Sequence, residues 1–151
     1  MPLKRSDRFK PIHNLAQQSE DVAAQTLGKI QRELSEHHLK LSELMKYYED
    51  YTTRFNQKAG QGMSITQVQS YQKFISQLEV AISEQKKNIT RVTEACDSSR
   101  ADWTVERQKT QVLEKVIHRY QKQEQQISNR QEQRLSDEHV VNQFWHKNKQ
   151  T

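Results

Sequence analysis

Proline and glycine are scarce in this 151-residue sequence, with two of the first and three of the second, and neither occurs after Gly62. Nothing in the backbone beyond that point forces a break, so one continuous helix from Ser64 nearly to the C-terminus is allowed. A single cysteine, Cys96, excludes an internal disulfide and suits a reducing compartment. Apolar residues are few as well: 32% hydrophobic against 28% charged is poor material for a globular core and good material for an elongated helical protein. Nowhere do eighteen apolar residues run together, and the N-terminal stretch from Met1 to Lys10 lacks the apolar segment of a signal peptide. The expectation is a soluble cytoplasmic protein that meets membranes only through partners.

Catalytic patterns are missing too. There is no Gly-rich phosphate loop and no H-E-x-x-H, and the isolated histidines, including His139 and His146 near the polar C-terminus, form no ligand set. Two helices alone offer no water-excluding cleft. No enzyme activity, cofactor or metal is expected.

What the sequence does contain is a heptad seam. Steps of three and four residues from Val68 pass through Tyr71, Ile75, Leu78, Ile82, Gln85, Ile89, Val92 and Cys96, and go on through Trp103, Leu113, Ile117 and Tyr120 to Ile127. That spacing keeps one helix face turned toward a partner. An earlier seam runs from Leu27 through Ile30, Leu34, His37, Leu41, Leu44, Tyr48 and Tyr51 to Phe55. Between them lies Lys58-Ala59-Gly60-Gln61-Gly62, a helix stop and reversal. Ser64 and Gln67 then have the spacing of a capping box, with Met63 and Val68 as a hydrophobic staple. Pro11 suits a first helical turn. The fold expected is all-α: a long antiparallel two-helix coiled-coil hairpin, one elongated domain over 1–151, with helix 1 at about 11–58, a loop at about 59–63 and a longer helix 2 at about 64–148.

Placing Phe55 opposite Val68 sets a register in which Tyr51 meets Tyr71, Leu44 meets Leu78 and Leu27 meets Cys96. The one polar residue of the first seam, His37, then falls opposite Gln85, and a polar layer of this kind fixes alignment. His37 and His38 are adjacent and point to different faces, which argues against a metal pair. Farther from the loop the ladder weakens, because Glu20 would meet Trp103; that end should be looser or shifted. The same register puts residue 112 opposite Pro11 and leaves Leu113, Val116, Ile117, Tyr120 and Ile127 uncovered, an expected docking stripe.

Off the seam, Tyr47, Phe74 and Ala81 share one flank, while Met45, Gln72, Glu79 and Lys86 occupy the other. The two rings either broaden the core or form a partner patch. Charge is also uneven. The chain carries +5 overall, with cations gathered near both termini: Lys4, Arg5, Arg8 and Lys10, then Lys109, Lys115, Arg119 and Lys122. Converging like charges call for an acidic or electron-rich receiver. A basic coiled coil that binds nucleic acid is one alternative. The alternation of these cations with Glu and Gln reads equally as a solvated helix face.

The stretch from Tyr71 through Phe74, Leu78, Ala81 and Ile82 to Gln85, then Trp103 with Arg107, Leu113-Glu114-Lys115-Val116, Arg130-Gln-Glu132-Gln133 and Asp137-Glu138, resembles the flagellar export protein FliJ family across essentially the whole chain. The resemblance implies a cytoplasmic antiparallel coiled coil of the type III export apparatus. Such a protein is similar to the central stalk of rotary ATPases. It enters the hexameric export ATPase ring, bridges it to the cytoplasmic domain of the export-gate membrane protein, and associates with export chaperones. The gate surface implied is Leu44, Tyr47, Tyr51, Phe74, Leu78, Ala81 and Gln85. The basic end, Arg5, Arg8, Lys10, Lys109, Lys115, Arg119 and Lys122 with Leu113, Ile117 and Tyr120, is the expected ATPase contact. A stalk of a virulence secretion system fits the same physics.

Overall fold

The computed structural model describes residues 2–150, in which two helices, α1 (Arg5–Gln61) and α2 (Ile65–Lys149), account for almost the whole chain. They pack antiparallel as a coiled-coil hairpin, with α2 the longer. The chain divides into two compact units: Val22–Thr104, which contains the turn, and a second that joins the segment up to Asp21 with the segment from Val105.

The turn is built as its residues dictate. Ser64 Oγ accepts from the Gln67 amide at 3.2 Å, and Gln67 Oε1 accepts from the Ser64 amide at 3.4 Å, a complete capping box. Gly62 has φ of +93°, a left-handed conformation that carries a steric cost for any residue with a Cβ. The helix-ending glycine is thus Gly62, and Gly60 remains helical within α1.

In the turn-containing unit, Leu27, Leu78, Val92 and Cys96 are buried together with Gln85 and Ser99, and the remaining seam positions are half-buried. The polar layer forms. Gln85 Nε2 donates to His37 Nδ1 at 2.9 Å and to the His37 carbonyl at 2.8 Å. A carbonyl only accepts, so the amide nitrogen must face α1, and His37 Nδ1 is then the acceptor with its proton on Nε2. That nitrogen looks toward Glu33 Oε1 at 3.7 Å.

The other unit departs from the expected register. Carried from the His37–Gln85 layer, residue 113 would lie opposite Phe9; instead Phe9 stacks on Tyr120, centroids 5.5 Å apart at 22°. Ser6 Oγ donates to Glu124 Oε2 at 2.7 Å, His13 Nε2 lies 3.2 Å from Glu114 Oε1, and Arg107 Nη1 lies 3.9 Å from Glu20 Oε1. The physical reason is pairing: the expected alignment set the Glu20 carboxylate against Trp103, and the observed one gives it a guanidinium. These contacts also carry α1 past Pro11, which lies inside the helix and not in its first turn. Pro11 has no N–H for the Asp7 carbonyl, a helix-interior cost of about 3 kcal/mol. The ring stack, the Ser6–Glu124 bonds and the Arg5 guanidinium 5.7 Å above the Tyr120 ring offset it.

The polar layer can be tested by deletion. Gln85→Leu strands the inward-facing acceptors of His37 and should cost about 1–3 kcal/mol, whereas His37→Leu with Gln85→Leu should regain most or all of it. Urea unfolding followed by circular dichroism distinguishes these, and a neutral single substitution would mean that the layer does not form.

Candidate functional site

Aromatic residues concentrate where the turn-containing unit approaches its loop. Tyr51 packs against Phe74 at 4.4 Å and against Tyr71 at 6.3 Å, and Phe55 meets Tyr71 at 6.1 Å between centroids. Cations cap the cluster: Arg54 sits 5.6 Å over Tyr51 and Lys58 5.3 Å over Tyr71, attracted by the ring quadrupoles.

The seven residues of the expected gate surface fall into three groups. Tyr47 is 55% exposed and Phe74 37%. Leu44, Tyr51 and Ala81 are half-buried. Leu78 and Gln85 are buried. The seam positions are therefore not an open surface: Leu78 fills the core and Gln85 is spent on His37. Phe74 is both a core ring and a surface ring, since it leans on Tyr51.

The opposite flank holds a feature that the sequence pattern hid. A groove of about 500 Å³ is lined by Met45, Tyr48, Thr52 and Ile82 and rimmed by Glu49, Glu79 and Lys86. Tyr48 donates its hydroxyl to Glu79 Oε1 at 3.3 Å. The Thr52 hydroxyl oxygen is buried without a hydrogen-bond partner. The signal was present in part, because Thr52 follows the seam residue Tyr51 with a side chain too small to fill the flank.

In the unit made by the chain ends, the expected cations Arg5, Arg8, Lys10, Lys109, Lys115, Arg119 and Lys122 are all exposed. Asp7 accepts from Lys10 Nζ at 2.8 Å; that bond holds the Asp7 carboxyl below its ordinary pKa and raises the Lys10 ammonium. Both groups are in water, so salt screens the pair. The apolar stripe is more covered than its register led one to expect. Leu113, Ile117 and Tyr120 are half-buried, because the shifted register lays the first turns of α1 over them, as the Phe9–Tyr120 stack shows. Of the expected stripe Ile127 is exposed, and beyond it so are Leu135, Val140, Val141, Phe144 and Trp145.

Among the described residues no group of three or more His, Cys, Asp or Glu could hold a metal ion, and no helix is long and apolar enough to cross a membrane. What the fold defines is a long antiparallel coiled-coil hairpin whose distinctive surface features are rings near the turn and cations near the ends. The family described as "Flagellar FliJ protein" matches residues 5–149, and the chain belongs to that family. It is 28% identical over 130 residues to a flagellar FliJ protein of Salmonella typhi, covering 86% of this chain and 88% of the relative. A flagellar FliJ protein of Escherichia coli (strain K12) is 25% identical over 127 residues, 84% of this chain and 86% of the relative.

The two candidate rings should separate on mutation. Phe74→Ala removes a ring packed on Tyr51 and should lower stability by about 1–2 kcal/mol, while exposed Tyr47→Ala should stay within about 0.5 kcal/mol. Equal losses in chemical denaturation would place Tyr47 in the core and take it off the surface.

Proposed function

We propose that the chain is a non-enzymatic component of the flagellar type III protein export apparatus. It acts there as a stalk that enters the hexameric export ATPase ring, promotes ring assembly and activity, and links the ring to the export gate and export chaperones. The observation that carries this reading is the family match from residue 5 to residue 149, which takes in both helices. The names of the relatives favour the flagellar apparatus over a virulence system. In this reading the protein is cytoplasmic and reaches the inner membrane peripherally, through the gate.

Polarity follows from charge and exposure. The exposed cations at the chain ends suit a pore lined by carboxylates or backbone carbonyls, so Arg5, Arg8, Lys10, Lys109, Lys115, Arg119 and Lys122 are the proposed ring contacts. Leu113, Ile117 and Tyr120 serve that contact from beneath α1 by keeping the two helix ends together. At the other end, Tyr47 and Phe74 are the exposed anchors of the proposed gate surface, edged by Leu44, Tyr51 and Ala81. Leu78 and Gln85 hold those rings in place from the core.

Arg119→Glu with Lys122→Glu should abolish stimulation of the purified ATPase and leave gate binding intact, and wild-type stimulation should decline as salt rises. Stimulation that survives this charge reversal and is lost on truncation of the turn would reverse the polarity. Binding to DNA with a steep salt slope would favour the nucleic-acid alternative.

A further inference from the structure

The two flanks of the chain-end unit are unlike each other. One is a polar mixture: it carries Asp7, Lys10, Arg107, Glu114 and Gln121, and its charges are interlinked by the contacts of Lys10 with Asp7, His13 with Glu114 and Glu20 with Arg107. On the other flank, the alignment fixed by Phe9–Tyr120 and His13–Glu114 brings matched residues to the same level on the two helices. Arg8 is level with Arg119, Ile12 with Val116, Leu15 with Val112, and Ser19 with Lys109. Ile12 is 50% exposed, Leu15 65% and Val112 59%, and Val116 is half-buried.

The result is a shallow aliphatic trough between two antiparallel helices, with cations at both ends. Arg5 stands over the Tyr120 ring on the same side. Lys109 has a carboxylate neighbour, Glu106 at 3.5 Å, and among the described residues no Asp or Glu occupies the flank positions themselves.

We propose that this flank is a docking surface for an amphipathic helix of another protein, one with an aliphatic stripe bordered by acidic residues. A third helix laid in the trough completes a three-helix bundle. It covers Ile12, Leu15, Val112 and Val116, and its carboxylates answer Arg8 and Arg119. A second copy of this chain is a poor occupant, because an isologous contact would set guanidinium against guanidinium. A lipid surface is less suited, since the apolar part is a short aliphatic set of Ile12, Leu15, Val112 and Val116 and has none of the Trp or Phe that interfacial binding favours. The inference shares Arg8 and Arg119 with the ring reading but is tested through the aliphatic residues, none of which that reading uses.

The test titrates the full chain with a fluorescently labelled synthetic helix that has Leu and Ile at heptad spacing and Glu on both borders. Its counterpart with Lys in place of Glu, and phosphatidylglycerol vesicles, serve as competing probes. The Glu helix should bind. Leu15→Gln with Val112→Gln should weaken it at least about 10-fold while helicity, melting temperature and ATPase stimulation stay unchanged, because both side chains are exposed. Raising salt from about 0.05 to about 0.5 M should weaken it as well, and the Lys helix should not bind. The proposal is overturned if the Glu helix fails to bind, if the double variant binds it as tightly as wild type, or if the Lys helix binds equally well. Capture by vesicles that depends on Leu15 and Val112 and outcompetes the helix assigns the flank to lipid. Self-association with that dependence assigns it to a second copy. Either outcome also overturns the proposal.

Discussion

Two helices with no third layer can each cover only one side of the other, and this constraint governs the protein. The seam closes around a few buried side chains, Leu27, Leu78, Val92 and Cys96 among them, while most apolar seam residues stay half-exposed. With so little deep burial, sliding one helix past the other costs less than in a globular core. Alignment is left to the polar and aromatic contacts that occur at one level only. His37 with Gln85 fixes the turn-containing unit, and Phe9, Ser6, His13 and Glu20 with their partners on α2 fix the unit of the chain ends.

That division explains what could be read from the sequence. The hairpin, its capping box and the His37–Gln85 layer follow from local chemistry and from a period that the residues display openly. The start of α1 did not follow, because Pro11 is a strong local signal for a helix beginning and only tertiary contacts at Ser6 and Phe9 override it. The register at the chain ends was legible only as a weakness, in the conflict between Glu20 and Trp103. Its resolution depends on Arg107, which lies off the seam and so gives no signal in the heptad pattern.

The candidate surfaces were legible to different degrees for the same reason. Exposed cations could be named one by one, since a charged residue off a seam faces water whatever the register. Residues on the seam could not be so assigned: Leu78 and Gln85 proved buried, and Leu113, Ile117 and Tyr120 proved half-covered. The trough at Ile12, Leu15, Val112 and Val116 was invisible and the groove beside Thr52 showed only in the small side chain after Tyr51, because each is made by positions from both helices and exists only in the right alignment.

Alignment at the chain ends is therefore the point on which the ring contact and the helix-binding flank both turn. Spin labels can be placed at exposed positions in a Cys96→Ser background, at residue 8 and in turn at 112, 119 and 126, with the interspin distance measured by pulsed electron resonance. The structure predicts the shortest distance for the 8–119 pair. A shortest distance for 8–112, the labelled pair nearest to the alignment obtained by running the His37–Gln85 register straight on, would contradict it.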